Sequence, residues 1–474
     1  MDACDLSAHE ARFLIGQKRL SPVELLESCI TRIEAVNGDL NAVVTTCFDR
    51  ARDEARRAEV AVMRGEQLPL LHGLPIAIKD LNATKDVRTT YGSRLYADFI
   101  PTSDDSPTAA VRKAGAIIVG KTNATEFGAG NNTTNAVFGP TRNPFDLTRT
   151  CGGSSGGAAV ALAANMVPLC TGGDTGGSLR IPATFCGVSS LRPTVGVVPY
   201  DARAFAMTPF QVQGPMARTI EDVGLLLAAM AGDDPVDPLA FPRQPEGYAS
   251  IRAIDLSNVR VALSSDLGIA PTSVAIRKTF AERLALFSSV FASCDERHPD
   301  LSQAPRVNWI LRGVQSLYTH KERYAKHCDL LGPVVRLDYE KAKELSVLDI
   351  GWALAEQYTL HKTFVRFFTD IDVLICPGAT IPPFPIDELY PTEIDGIPLG
   401  SHVEWANLTN TLSITGNPVV ALPCGLDPTG TPFGLQIVGR RHDDRYTLGV
   451  AVALERLFQD NPLLARPVPS CTTF

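Results

Sequence analysis

Cys151-Gly152-Gly153-Ser154-Ser155-Gly156-Gly157 opens a stretch that continues through the small apolar residues Ala158–Cys170. It closes with Thr171-Gly172-Gly173-Asp174-Thr175-Gly176-Gly177-Ser178-Leu179-Arg180. Glycine at this density is costly in backbone entropy, so it is kept where the chain needs unusual dihedral angles or a close backbone approach to a ligand. The stretch therefore reads as two glycine-rich loops joined by a helix of small apolar residues. Successive N–H groups in such a loop converge into an anion-binding nest, which suits a bound phosphate or the oxyanion of acyl transfer. A phosphate loop needs Lys-Ser/Thr directly after it, or G-x-G-x-x-G after a strand, and neither pattern occurs in this stretch. Acyl transfer is the leading reading.

Working outward, Gly73–Asp80, Ala116–Val119, Val259–Leu263, Asp372–Cys376, Pro418–Leu422 and Phe433–Gly439 are short apolar stretches that predict strands. Helical patterns such as Thr219–Met230 and Val274–Phe291 separate them. Apolar strands alternating with helices predict an α/β fold, one large domain over residues 1–474 with a mixed, buried β-sheet core covered by helices. Residues 1–65 read as N-terminal helices. Ser21-Pro22-Val23-Glu24 carries the cap, the first-turn proline and the returning glutamate of a helix start, and Leu26, Cys29, Ile30 and Ile33 then share a face. Residues 232–370 form a variable region expected near the substrate pocket. Gly232–Ser257 predicts a surface excursion, and Asp300–Glu356 is helical with aromatic and cationic patches. With the proline-rich loop Ile381–Gly400, that helical segment is a candidate pocket rim.

Composition narrows the partners. The 474 residues carry 44 Lys+Arg against 52 Asp+Glu, a formal charge of −8, which repels phosphate backbones and anionic lipid; no nucleic-acid partner is expected. No apolar stretch reaches the roughly 18 residues of a membrane span, so no membrane partner is expected either. Asp2 and Asp5 stand where a signal peptide would carry positive charge. The eleven cysteines are scattered without C-x-x-C or finger spacing. They read as reduced thiols of a cytoplasmic protein with no metal site.

A serine nucleophile needs a base. None of the eight histidines lies in the glycine/serine segment, and His72, before a Gly-Leu-Pro turn, reads as structural. Lysine is the remaining option, useful only where burial strips its charge; Lys79, ending the apolar run Leu74–Ile78, has that context.

These residues resemble the amidase signature family, serine hydrolases with a Ser-cisSer-Lys triad. The resemblance is carried by His72–Leu81, Gly120–Phe127, Gly152–Gly157, Gly172–Gly187 and Gly214–Arg218, with Thr415–Pro418 and Gly434–Gly439 as C-terminal landmarks. It implies Ser178 as nucleophile, Ser154 as the serine on the cis peptide, and Lys79 as base. The N–H groups of Thr175, Gly176, Gly177 and Ser178 would form the oxyanion hole, with Ser155, Asp174 and Arg180 supporting the loops. Cys151 and Ala124 depart from the common pattern; Ala124 would enlarge the acyl side of the pocket or represent a bland size variation. The implied function is amide hydrolysis through an acyl-enzyme, without metal or cofactor, on a small-molecule amide. Trp309, Tyr318, Phe384, Tyr390 and Trp405 favour an aryl or bulky apolar substrate, with esters and carbamates also in range. The alternative is a glutaminase subunit of a tRNA-dependent amidotransferase. A homodimer, partly through the N-terminal helices, is expected.

Overall fold

The computed structural model describes residues 2–241 and 245–470, so part of the expected excursion Gly232–Ser257 and Cys471 lie outside the described residues. Its centre is one eleven-stranded mixed sheet. In chain order the strands are β1 (Val43–Thr46), β2 (Pro75–Lys79), β3 (Ile117–Thr122), β4 (Leu169–Asp174), β5 (Ser189–Arg192) and β6 (Val212–Ala217). Then follow β7 (Arg260–Leu263), β8 (Ser293–Glu296), β9 (Val373–Pro377), β10 (Val419–Leu426) and β11 (Pro432–Val438). Across the sheet the order is β1-β3-β2-β4-β6-β5-β10-β11-β9-β7-β8. Pairing is parallel for β2 with β3 and β4 and for β7 with β8 and β9; the remaining pairs are antiparallel.

Side chains alternate faces along a strand. Ile76 and Ile78 of β2 enter the apolar cluster that includes Leu225, Leu226 and Leu448, under helices Ile220–Met230 and Asp444–Gln459. Ala77 enters a second cluster on the other face, with Leu26 and Ile30 of helix Pro22–Leu40 and every residue of helix Gly156–Ala163 beyond its two leading glycines. Both faces are therefore covered, which is why β2 is buried along its whole length and its sequence does not alternate polar with apolar. The same alternation turns Lys79 toward the Ala77 face, where the N-terminus of helix Gly156–Ala163 lies.

The N-terminal stretch forms helices Ala8–Gly16, Pro22–Leu40 and Phe48–Arg64, the second opened by the Ser21/Glu24 capping box. Between them the chain inserts β1, antiparallel to β3 at the sheet edge. Helices Ala304–His327, Pro333–Ala342 and Val347–Phe367 occupy the middle of the variable region; the first and third pack a third cluster against β7 and β9, and the second packs on the first. Among the described residues no helix is long and apolar enough to cross a membrane, and ten cysteines are free of disulfides, seven of them buried.

Candidate active site

β2 and β4 run parallel, so their carboxyl ends finish at the same edge of the sheet, where open α/β sheets gather their ligand-binding groups. Lys79 is the last residue of β2, 1% exposed, and its backbone N–H donates to Thr171 Oγ1 of β4 at 3.2 Å. Its Nζ lies 2.8 Å from Ser154 Oγ, 2.8 Å from Ser155 Oγ and 3.3 Å from the Gly173 carbonyl oxygen. Burial lowers its pKa from the ordinary 10.5 to about 7, against the opposing pull of the Asp174 charge. The amine is thus poised to be neutral near physiological pH.

The serines arrive from the loop before helix Gly156–Ala163, and the Gly153–Ser154 peptide is cis. That helix is pressed on the sheet through Gly157, whose N–H donates to the Asn123 carbonyl at 3.1 Å. A Cβ there would stand 2.4 Å from Asn123 N and 2.7 Å from Ala42 O. Ser155 is more than a loop support: it touches Lys79 as closely as Ser154 does, and its hydroxyl also pairs with Gly173 N (3.4 Å) and O (3.3 Å).

Ser178 sits between β4 and helix Arg180–Cys186, 6% exposed, and its carbonyl accepts from Ser155 N–H at 3.2 Å, tying the two loops together. Its hydroxyl has no hydrogen-bond partner among the described residues. Of the four expected oxyanion donors, Gly177 N–H is donated to Asp174 Oδ1 at 2.9 Å. The N–H groups of Thr175, Gly176 and Ser178 have no acceptor among the described residues. Gly177 has φ +117° and lies against Thr409, so a side chain there meets both backbone strain and a clash.

Asp174 holds this loop in shape. It accepts from Gly177 and Leu179 N–H, from Arg180 Nε and Nη2 at 3.0 Å, and from Arg192 Nη1 at 3.1 Å. The two guanidinium groups push its carboxyl far below the usual carboxylate range despite complete burial. Arg180 continues to Thr409 O, Gln436 Oε1 and Ser413 Oγ, and Arg192 to the carbonyls of Asp174, Phe210, Pro209 and Ser413. Two buried cations on one anion leave the loop electropositive. Sequence reasoning missed Arg192, Thr409, Ser413 and Gln436; a strand-end arginine and scattered polar residues carry no motif that announces a shared partner.

A cavity of about 840 Å³ opens beside this loop, reaching Thr175, Phe127, Gly128 and Ala129. The Cβ position of Gly128 is 3.6 Å from Ser154 Oγ, so the cavity ends close to the serines. Helix Ala304–His327 forms much of the opposite wall with Trp309, Arg312 and Tyr318. Phe384 and Trp405 instead meet edge to face at 5.4 Å in a buried cluster, and Tyr390 packs on His402 at 5.4 Å. Ala124 is fully buried and does not line the cavity.

No histidine among the described residues hydrogen-bonds Ser154 or Ser178. His72 bonds the Ala58 carbonyl at 3.0 Å, and His320, on the cavity wall, is pushed down to about 4 by burial and the Arg323 charge. The other buried lysine of the core, Lys121, bonds Thr84 Oγ1 at 2.6 Å and the Asn82 carbonyl, among Asp80 and Asp105. The described residues contain no group of three His, Cys, Asp or Glu placed to hold a metal ion.

A family model described as Amidase matches residues 24–448. An acylamidase from Rhodococcus erythropolis is 34% identical over 456 residues, covering 95% of this chain and 95% of the relative. A glutamyl-tRNA(Gln) amidotransferase subunit from Alkaliphilus metalliredigens (strain QYMF) is 31% identical over 482 residues, covering 94% and 96%. Among solved structures, a bacterial aryl acylamidase of the amidase signature family matches with a TM-score of 0.89 at 27% identity over 96% of each chain. Fold, site and relatives agree on an amide-hydrolysing enzyme. The chain belongs to the amidase signature family.

Proposed function

We propose that the enzyme cleaves small aryl or bulky apolar amides, and esters or carbamates of similar shape, through an acyl-enzyme on Ser178. The observation that carries this reading is the buried Lys79 amine held against Ser154 and Ser155 with its pKa lowered to about 7. A neutral amine has two N–H bonds and one lone pair. Gly173 O can only accept from it, and the Ser155 hydroxyl proton is engaged by that same carbonyl. Ser154 is then the hydroxyl free to donate to the Lys79 lone pair and to receive the proton of Ser178. Ser178 Oγ bonds to the carbonyl carbon as its proton passes through Ser154 to Lys79. Breaking the C–N bond returns that proton to the leaving amine, and water repeats the sequence to free the acid. The unengaged N–H groups of Thr175, Gly176 and Ser178 take the oxyanion, while Gly177 N–H stays on Asp174 and holds the loop. Neither a metal nor a cofactor enters these steps.

Trp309 and Tyr318 on the cavity wall support an aromatic or bulky substrate. A homodimer would bring together such faces as the exposed Phe13, Val60 and Met63 of the N-terminal helices. A glutaminase subunit is the second reading, favoured by relatives such as that at 31% identity. A panel of anilides, esters, carbamates and glutamine separates them: the first reading expects arylamine release by the isolated chain, lowered about 10⁴-fold or more in Ser178→Ala. Turnover of glutamine alone would favour the second.

A further inference from the structure

The cavity beside the serine loop is charged in the opposite sense to the molecule. The chain is −8 overall, yet Arg203, Arg312, Lys321 and Arg323 line this space against only Glu322 and Asp338. Most of these charges are engaged. Arg203 is bound to Asp237, Arg323 lies over the Phe127 ring at 4.5 Å, Glu322 pairs with Lys326, and Asp338 meets His402 Nε2 at 2.8 Å. Lys321 is exposed at the outer rim. Arg312 is different: it is partly buried, and among the described residues it has no hydrogen bond or ion pair. Its Nη1 lies 3.4 Å from the Cβ position of Gly176, whose N–H has no acceptor among the described residues. A guanidinium held without a partner against a reactive loop is a fork for a carboxylate, which it binds with two parallel, charge-assisted hydrogen bonds.

We propose that Arg312 is a specificity-determining residue, and that the preferred substrates are amides carrying a carboxylate on the acyl or the amine part, held by Arg312 while the amide faces Ser178. This rests on the serine acyl-enzyme reading above and narrows its substrate class. Trp309, one turn away on the same helix, and Tyr318 flank the space an aryl or alkyl body would fill between carboxylate and amide.

The test uses two matched pairs that differ in charge and little in size. Glutaryl against pentanoyl para-nitroanilide places the carboxylate on the acyl side. The acetanilide of para-aminobenzoate against that of para-toluidine places it on the amine side. In one pair the charged member is expected to have the higher kcat/KM by about 10-fold to 100-fold, the range of a hydrogen bond to a charged group, and the pair that shows it assigns the side. Arg312→Gln is expected to bring that ratio close to one, and Arg312→Lys to keep part of it. Ratios near one in both pairs for the wild type, or a ratio that survives in Arg312→Gln, would overturn the proposal; the wild-type comparison stands even where the variant does not fold. If no anilide turns over while a fluorophosphonate still labels Ser178, the substrate proposal fails alone. If Ser178 is also unlabelled, the underlying reading fails with it.

Discussion

At Lys79 two demands conflict: an amine in the core is best left uncharged, while water would keep it protonated to about pH 10. Burial decides the contest, bringing the pKa from 10.5 to about 7. The sign of the consequence follows from proton counting. Between about pH 7 and 10.5 the unfolded chain holds a proton on Lys79 that the folded chain has lost, so folding stability rises with pH across that window. Replacing Lys79 by Met removes the titration and keeps most of the volume. Wild-type stability in urea is expected to gain up to about 1.4 kcal/mol per pH unit relative to Lys79→Met within that window, with Lys121 present in both proteins and cancelling. The wild-type kcat/KM for an amide is expected to rise with pH through about 7 and then level off. A flat difference in stability together with a flat rate profile would contradict the neutral-base assignment. The sequence made this residue legible because a lone lysine ends an apolar run. It could not show that Ser155 meets Lys79 as directly as Ser154, because that contact depends on how the loop turns at the helix start.

Among the elements, helix Gly156–Ala163 and the loop Asp174–Ser178 position the chemistry, and each has a substitution that weighs two effects. Gly157→Ala improves helix propensity by about 0.5–1 kcal/mol. The added Cβ, however, stands 2.4 Å from Asn123 N and 2.7 Å from Ala42 O, backbone atoms that cannot rotate away. Overpacking costs about 1–3 kcal/mol, so net destabilisation is expected in urea denaturation, and a stabilised variant would refute the close docking of this helix on the sheet. Asp174→Asn keeps shape and removes the one negative charge between Arg180 and Arg192. Leaving those buried cations uncompensated is expected to cost about 3–5 kcal/mol; a loss below about 1 kcal/mol would show that the backbone carbonyls around the arginines suffice. Much of this level was legible. The stretches Gly73–Asp80, Ala116–Val119, Val259–Leu263, Asp372–Cys376, Pro418–Leu422 and Phe433–Gly439 correspond to β2, β3, β7, β9, β10 and β11. Missed were β1, β4, β5, β6 and β8. Leu169–Asp174 hides a strand because three of its six residues are Thr171, Gly172 and Gly173, and the two glycines are poor strand signals that tertiary packing overrides. Gly172 has Leu179 and Met216 against it, leaving no space for a side chain.

Over the whole molecule, the site is assembled from distant parts of the chain. Lys79 comes from β2, Ser154 and Ser178 from loops flanking one helix and one strand, and the arginine pair is closed by Thr409, Ser413 and Gln436 from the C-terminal quarter. Helix Ala304–His327 then covers the loop from outside the conspicuous motifs. The aromatic and cationic patches of Asp300–Glu356 suggest a pocket rim, but not which loop this helix faces, because the pattern that forms a helix says nothing about its partner in the fold. The contrast between a net charge of −8 and a cationic cavity also belongs to this scale, since only the fold sorts the charges. The central claim is that this assembly converges on one activated serine. Treatment of the folded enzyme with a fluorophosphonate, followed by intact and peptide mass spectrometry, tests it most directly. The expected result is one adduct per chain, on the peptide containing Ser178, blocked by prior incubation with a substrate and strongly slowed in Lys79→Ala. Adducts on another residue, or labelling of Ser178 at an unchanged rate without Lys79, would contradict the account.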